Sequence, residues 1–432
     1  MTRAEIASDP VAREGNQPQK CQMQVISVDR GASERPGFDC DHAMEPRICE
    51  ARELSSPSRT PARVILLGTD FHNPRGGIGA AMPGYRAALK THGLLDCFIP
   101  TYRAGSLRGK WWPALRALAP MIRRIRRLRA DGVRPVVYTH AGAWPSLLRE
   151  GILLAVARTA GATTWLQIHA VSVDRYLSRP IGRALFRQLG HVVGVYCALT
   201  PWWAARLHSA GIGHRVEVVP NPLPPELEIV ARQGPRDRAV SGRERITILT
   251  MTRLVPGKGV DIVLKALDYL PQRFQCIVAG EGPERVRMEE WVRNAGLADR
   301  VVFTGWVSGQ EKERLWSEAD VFCLPSVYDS FLMGLVEAMA HCVPVVALRT
   351  GPIAEIVDHS ETGILVEDSD PRSVAAALRG LANPTVRGQM GEAGQKRVLE
   401  KFSITVVGER LRLLADSVTA WKAPSDLETW QR

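Results

Sequence analysis

The sequence predicts an α/β protein made of two similar doubly wound halves, and three observations predict it. Buried-strand patterns alternate with helical patterns along most of the 432 residues. The alternation stops at residues 223–244, a stretch rich in Pro, Gly and Arg, and then starts again. The length suits two ordinary domains better than one.

In order along the chain, residues 1–60 mix both charges with Ser and Pro and lack hydrophobic periodicity, which predicts a disordered N-terminal extension. RVILLGTD, from Arg63, reads as a buried strand, and the loop NPRGGIG leads into a helix from about Gly79 to His92. PVVYTH (135–140), TTWLQIH (163–169), VGVYCALT (193–200) and VEVVPNP (216–222) read as further strands of a domain covering 61–222. After the linker at 223–244, ITILTMTR, FQCIVAGEG, VVFTGW, DVFCLPS and VPVVAL build a second domain over 245–402. Residues 403–422 read as a C-terminal helix crossing back to the first domain, and 423–432 as a tail. Two sheets joined in this way enclose a cleft at their carboxyl ends, where open α/β folds bind ligands.

Hydrophobic residues make up 45% of the chain and charged residues 23%, the balance of a globular protein, with a net charge of +11. No zinc-finger spacing, RNP-like aromatic motif or Lys/Arg tail directs that charge to nucleic acid, so phosphates and membrane surfaces are the expected partners. Eight cysteines form no CxxC pair, and Cys276 and Cys323 sit inside apolar runs, which points to reduced, buried thiols. The N-terminus has no apolar signal core. The longest apolar run, 192–205, is too short to span a bilayer and contains Pro201. The expected localisation is cytoplasmic, with a peripheral position on the inner face of the cell membrane left open.

The motifs that carry chemistry lie in the second half. TRLVPGKGVDIVLKAL (252–267), VAGEGPER (278–285), VVFTGWV (301–307) and LPSVYDSFLMGLVEAMAHCVPVVAL (324–348) follow one another at a recognisable spacing. Together they resemble glycosyltransferase family 4, over about 63–421 and most densely over 246–366. The resemblance implies a GT-B fold, two Rossmann-like domains facing across a cleft, and a retaining glycosyltransferase using a nucleotide-diphosphate sugar with a glycan or lipid-linked acceptor. It implies no cofactor, the nucleotide sugar being a substrate, and a reaction on the donor's front face that needs no protein nucleophile.

The site residues follow from the same resemblance. Breaking a sugar–phosphate bond leaves extra negative charge on the diphosphate, and stabilising it is the largest catalytic demand. Arg253 and Lys258, in a turn loosened by Gly257 and Gly259, match the residues that hold the diphosphate. Asp329 and Glu337 match a Glu-x7-Glu pair: Glu337 for the ribose hydroxyls, Asp329 for the sugar. The backbone at Phe331, Leu332 and Met333 opens the following helix toward sugar or phosphate. Asp329 replaces the family's first Glu and Leu332 stands where Gly is usual, which narrows the sugar pocket or changes its reach. Gly76 and Gly77 match a glycine loop near the donor phosphate. His169 matches a histidine near the reaction centre. No metal is expected. Asp39-Cys40-Asp41-His42 has the form of a metal-binding DxD, but it lies in a polar tail with no strand before it.

Residues 103–134 carry ten basic side chains against one acid, with Trp111, Trp112, Leu115, Leu118, Ile122, Ile125 and Leu128 at roughly helical spacing. Pro113 and Pro120 predict the starts of two short helices. Two readings stand side by side: an interfacial segment on an anionic membrane, and a helix packed on the sheet with Arg facing water. Other function classes are a weak or inactive GT-B binding protein, suggested by Asp329 and Leu332, and a GT-B nucleotide-sugar epimerase.

Overall fold

The computed structural model describes residues 60–70, 77–103, 107–142, 144–169, 171–212, 215–234, 244–327 and 329–417. The readings made for 1–59, for Gly76 and for 418–432 lie outside them. Every described residue falls within one compact unit, Ser56–Arg432.

The first half is a parallel sheet of β1 (Ala62–Thr69), β2 (Leu95–Tyr102), β3 (Arg134–Ala141), β4 (Thr163–Ile168), β5 (Val195–Ala198) and β6 (Arg215–Val218). Its order is β2-β1-β3-β4-β5-β6, so the chain reverses direction across the sheet between β1 and β3. The second half pairs β7 (Ile246–Met251), β8 (Phe274–Ala279), β9 (Val301–Gly305), β10 (Val321–Leu324), β11 (Val345–Leu348) and β12 (Gly363–Val366) in the order β12-β11-β10-β7-β8-β9. Its reversal lies between β7 and β10. Both are open doubly wound sheets, and sheets of this kind bind ligands outside the strand ends at such reversals.

Helices α1 (Gly77–Thr91), α2 (Leu107–Ala130), α3 (Trp144–Thr159), α4 (Ser172–Leu177), α5 (Pro180–Gly190) and α6 (Pro201–Ser209) connect the first sheet. A cluster of Val64, Tyr85, Leu89, Tyr138 and Trp165 with Val407, Leu411 and Leu414 seats α1 and the last helix, α14 (Ile404–Ser417), on one face of that sheet. Gly408 makes this packing possible. A Cβ there would lie 2.2 Å from the His92 ring and 2.7 Å from the Ala88 carbonyl oxygen.

Two expectations are corrected. The segment 223–244 is not wholly linker: Pro225–Arg232 is a helix, α7, whose Leu227, Glu228 and Ala231 are buried. Residues 103–134 do not form two short helices. α2 is continuous through Pro113 and Pro120. An interior proline costs about 3 kcal/mol through its lost hydrogen bond and its ring clash. The inward stripe Ala114, Ala117, Met121, Ile125 and Leu128 is buried, and each of its three large side chains contributes about 1.5–3 kcal/mol. That is enough to keep one helix.

Candidate active site

Both sheet reversals open onto one cleft of about 1080 Å³. Its first wall comes from the ends of β1 and β4, carrying Gly77 and His169; its second comes from the ends of β7, β9 and β10. Of the residues singled out in the sequence, Gly77, His169, Arg253, Lys258, Asp329, Phe331, Leu332, Met333 and Glu337 all line this cleft. Gly76 is outside the described residues.

The turn after β7 is built by glycine. Gly259 has φ +77°, and a Cβ there would sit 2.3 Å from the Pro325 carbonyl oxygen. The turn therefore presses against the β10 loop and brings Lys258 to the facing carboxylate: its Nζ donates to Asp329 Oδ1 at 2.6 Å. Both side chains are mostly buried, at 15% and 16% exposure, where an unpaired charge would be expensive. Asp329 Oδ2 is buried and has no hydrogen-bond partner among the described residues. A second pair lies beside it. Lys312, from α10 (Gly309–Glu318), reaches Glu337 Oε2 at 2.8 Å. Glu337 belongs to α11 (Met333–Ala340), whose first turn lines the cleft. A ligand rich in hydroxyls and phosphate can replace each internal pair with its own contacts. Arg253 stands exposed on the same wall.

The loop carrying Asp329 is fastened to the opposite half. The Ser330 hydroxyl donates to the His169 carbonyl oxygen, and Trp203 Nε1 donates to the Ser330 carbonyl oxygen at 3.0 Å. His169 bonds in turn to a second buried histidine, its Nε2 lying 2.9 Å from His140 Nδ1. Burial pushes His169 down to about 3, and burial together with His169 pushes His140 well below its ordinary value. Both rings are neutral at neutral pH.

Sequence reasoning missed Lys312, Ser330, Trp203 and His140. Lys312 lies in GQEKERLWSE and reads as part of a solvated charged face. His140 ends a strand just as His169 does, and the rule that singled out one could have found the other. Among the described residues, no three His, Cys, Asp or Glu side chains gather as a metal site would require.

Two doubly wound halves around a cleft lined by a basic glycine turn and the carboxylates Asp329 and Glu337 define the class by architecture: this is a GT-B fold. More particularly, residues 235–397 match the family described as Glycosyl transferases group 1. Over 379 residues, 81% of this chain and 97% of the other, it is 29% identical to a GDP-mannose-dependent alpha-(1-6)-phosphatidylinositol monomannoside mannosyltransferase of Mycobacterium tuberculosis. It is 24% identical over 322 residues to the alpha-D-kanosaminyltransferase of Streptomyces kanamyceticus, covering 71% of this chain and 82% of that one. Among solved structures, the sucrose-phosphate synthase of Thermosynechococcus elongatus superimposes with a TM-score of 0.63 at 20% identity, over 82% of this chain and 98% of that one. Anabaena Alr3699/HepE in complex with UDP gives 0.60 at 16% identity, over 82% and 100%. These structural likenesses concern the fold.

Proposed function

We propose that the protein is a retaining, metal-independent hexosyltransferase that moves a sugar from a nucleotide-diphosphate donor to a glycan or lipid-linked acceptor. The observation that carries this reading is the gathering of Arg253 and Lys258 with Asp329 and Glu337 on one wall of the cleft. The two cations take the diphosphate and hold the charge that builds on it as the sugar–phosphate bond breaks. Glu337 leaves Lys312 to accept from the ribose hydroxyls. Asp329 exchanges Lys258 for the sugar hydroxyls, and its unpartnered Oδ2 is already free to accept one. The acceptor hydroxyl attacks from the face the diphosphate leaves, and the departing phosphate oxygen takes its proton. No side chain is needed as nucleophile.

The mycobacterial relative makes GDP-mannose the first donor to try. The test is a thermal-shift panel of UDP-, GDP- and ADP-sugars, followed by turnover with and without EDTA. One donor class should raise the unfolding midpoint, because a ligand that binds only the folded state stabilises it. Turnover should survive chelation. Activity lost to EDTA and restored by magnesium or manganese would overturn metal independence. Free sugar released without any acceptor would favour the epimerase.

A second reading concerns where the acceptor lies. Residues 107–190 carry fifteen Lys and Arg against three acids, +12 in a chain whose total is +11. The face formed there by α2, α3 and α5 leaves Trp112, Leu115, Leu148, Ile152, Ile181 and Leu185 exposed. Arg129 Nη1 donates to the Ala160 carbonyl oxygen at 3.2 Å, which ties the C-terminal ends of α2 and α3. Exposed Trp and Leu among arginines suit the headgroup region of an anionic bilayer. This reading supports a lipid-linked acceptor.

A further inference from the structure

The cleft wall contains a polar contact that the proposed transfer chemistry does not use, the hydrogen bond between His140 and His169. His140 is the last residue but one of β3 and is 3% exposed; His169 follows β4 and is 8% exposed. The backbone fixes their approach, since the His169 amide donates to the Ala141 carbonyl oxygen at 2.9 Å. The rings lie 5.1 Å apart, and Tyr85 and Tyr138 close around His140 at 4.5 and 4.7 Å.

Two neutral imidazoles that share one hydrogen bond allow two proton arrangements. If His169 donates from Nε2, His140 must carry its own proton on Nε2. That atom is buried and meets no partner among the described residues, so a donor N–H would be stranded. If His140 donates from Nδ1, its Nε2 keeps only a lone pair, and His169 carries its proton on Nδ1. A stranded buried N–H is rarer and costlier than a stranded acceptor. The second arrangement therefore prevails. The Nε2 of His169 is then occupied, and Nδ1 is the one ring nitrogen left for a ligand in the cleft.

We propose that His140 is a positioning residue: it fixes His169 as the Nδ1-protonated tautomer, so that His169 presents a hydrogen-bond donor to the transferring sugar. The hydrogen bond a ring makes through one nitrogen sets the proton on the other. The desolvation that keeps both rings neutral is consistent with this. The tautomer itself stands on geometry alone, whereas the consequence for turnover rests on the reading of the cleft as a donor-sugar site.

The experiment separates the two. Long-range 1H–15N correlation spectra of the full-length protein with labelled histidine, without donor, report which nitrogen of His169 is protonated. An Nδ1-protonated pattern is expected, and an Nε2-protonated His169 overturns the proposal without any variant being made. His140→Asn keeps an N–H close to the position of Nδ1, whereas His140→Phe removes it. The Asn variant should retain the tautomer and most of kcat. The Phe variant should lose the tautomer and about tenfold in kcat, the value of one hydrogen bond, with nucleoside diphosphate affinity unchanged. Equal kcat loss in two folded variants with the tautomer unchanged would make the residue merely structural and refute the proposal. A tautomer lost in the Phe variant with kcat intact would show that His169 does not donate to the sugar.

Discussion

At the residue scale the proposed function divides the work between the two carboxylates. Glu337→Ala removes an acceptor that serves substrate and transition state alike, so donor and free nucleoside diphosphate should both bind about ten- to a hundredfold more weakly. Asp329→Ala should leave nucleotide affinity nearly intact and lower kcat, because its proposed partner is the transferring sugar. Titration with nucleoside diphosphate beside steady-state kinetics checks the split; equal loss of nucleotide affinity in both variants contradicts it. The histidine pair gives a stability prediction. With His169 near 3 in the folded chain and about 6.5 when unfolded, the unfolded chain binds protons below pH 6.5 that the folded chain does not. Stability is therefore full above 6.5 and falls as pH drops toward 3, by up to about 1.4 kcal/mol per unit for each ring. Urea midpoints between pH 7 and 5 should fall less steeply in His140→Phe than in the parent. Parallel slopes would refute the neutral, buried pair. Arg253, Lys258 and Glu337 were legible in the sequence because several motifs fixed their frame, whereas Lys312 had nothing to separate it from an ordinary solvated helix face.

At the element scale the β10–α11 loop is the connection to watch. It carries Asp329, and two hydrogen bonds through Ser330 hold it to the first half. Trp203→Phe removes the Nε1 donor and keeps most of the buried ring. The expected cost is about 1 kcal/mol of stability and a severalfold lower kcat, read by thermal unfolding and steady-state kinetics. Unchanged turnover would show that the fastening is not needed for chemistry. The elements also explain which strands the sequence hid. β2 and β12 escaped notice, and each is an edge strand of its sheet. β2 holds Pro100, whose missing N–H suits an edge strand. β12 is only four residues long and opens on Gly363. The central strands, buried on both faces, read as continuous Val, Ile and Leu runs and were plain. The continuity of α2 was not, because local rules end a helix at proline and only the sheet it packs on reveals why this one goes on.

At the scale of the whole molecule, α2, α3 and α5 combine many basic residues with exposed apolar side chains among the described residues. Among the described residues no helix is long and apolar enough to cross a membrane; the attachment proposed here is interfacial. Vesicles with anionic lipid should sediment the protein, less so at high salt, since each basic residue near such a surface is worth about 1 kcal/mol before screening. Replacing Arg116, Arg123 and Arg127 with Glu, and Trp112 and Leu115 with Ser, should abolish sedimentation. Arg124 is left out because its guanidinium is bonded to Asp96, with Nη2 2.6 Å from Oδ1. Equal sedimentation of the parent and the substituted protein would contradict the membrane face. Both halves line one cleft, which is proposed to hold a nucleotide sugar and to transfer its sugar with retention. The most direct measurement is the anomeric configuration of the first glycosylated product, read by NMR, with whichever donor the thermal panel selects and with EDTA present. A product whose new linkage keeps the donor's α or β configuration is expected. An inverted linkage, or no transfer from any donor that binds, would contradict it.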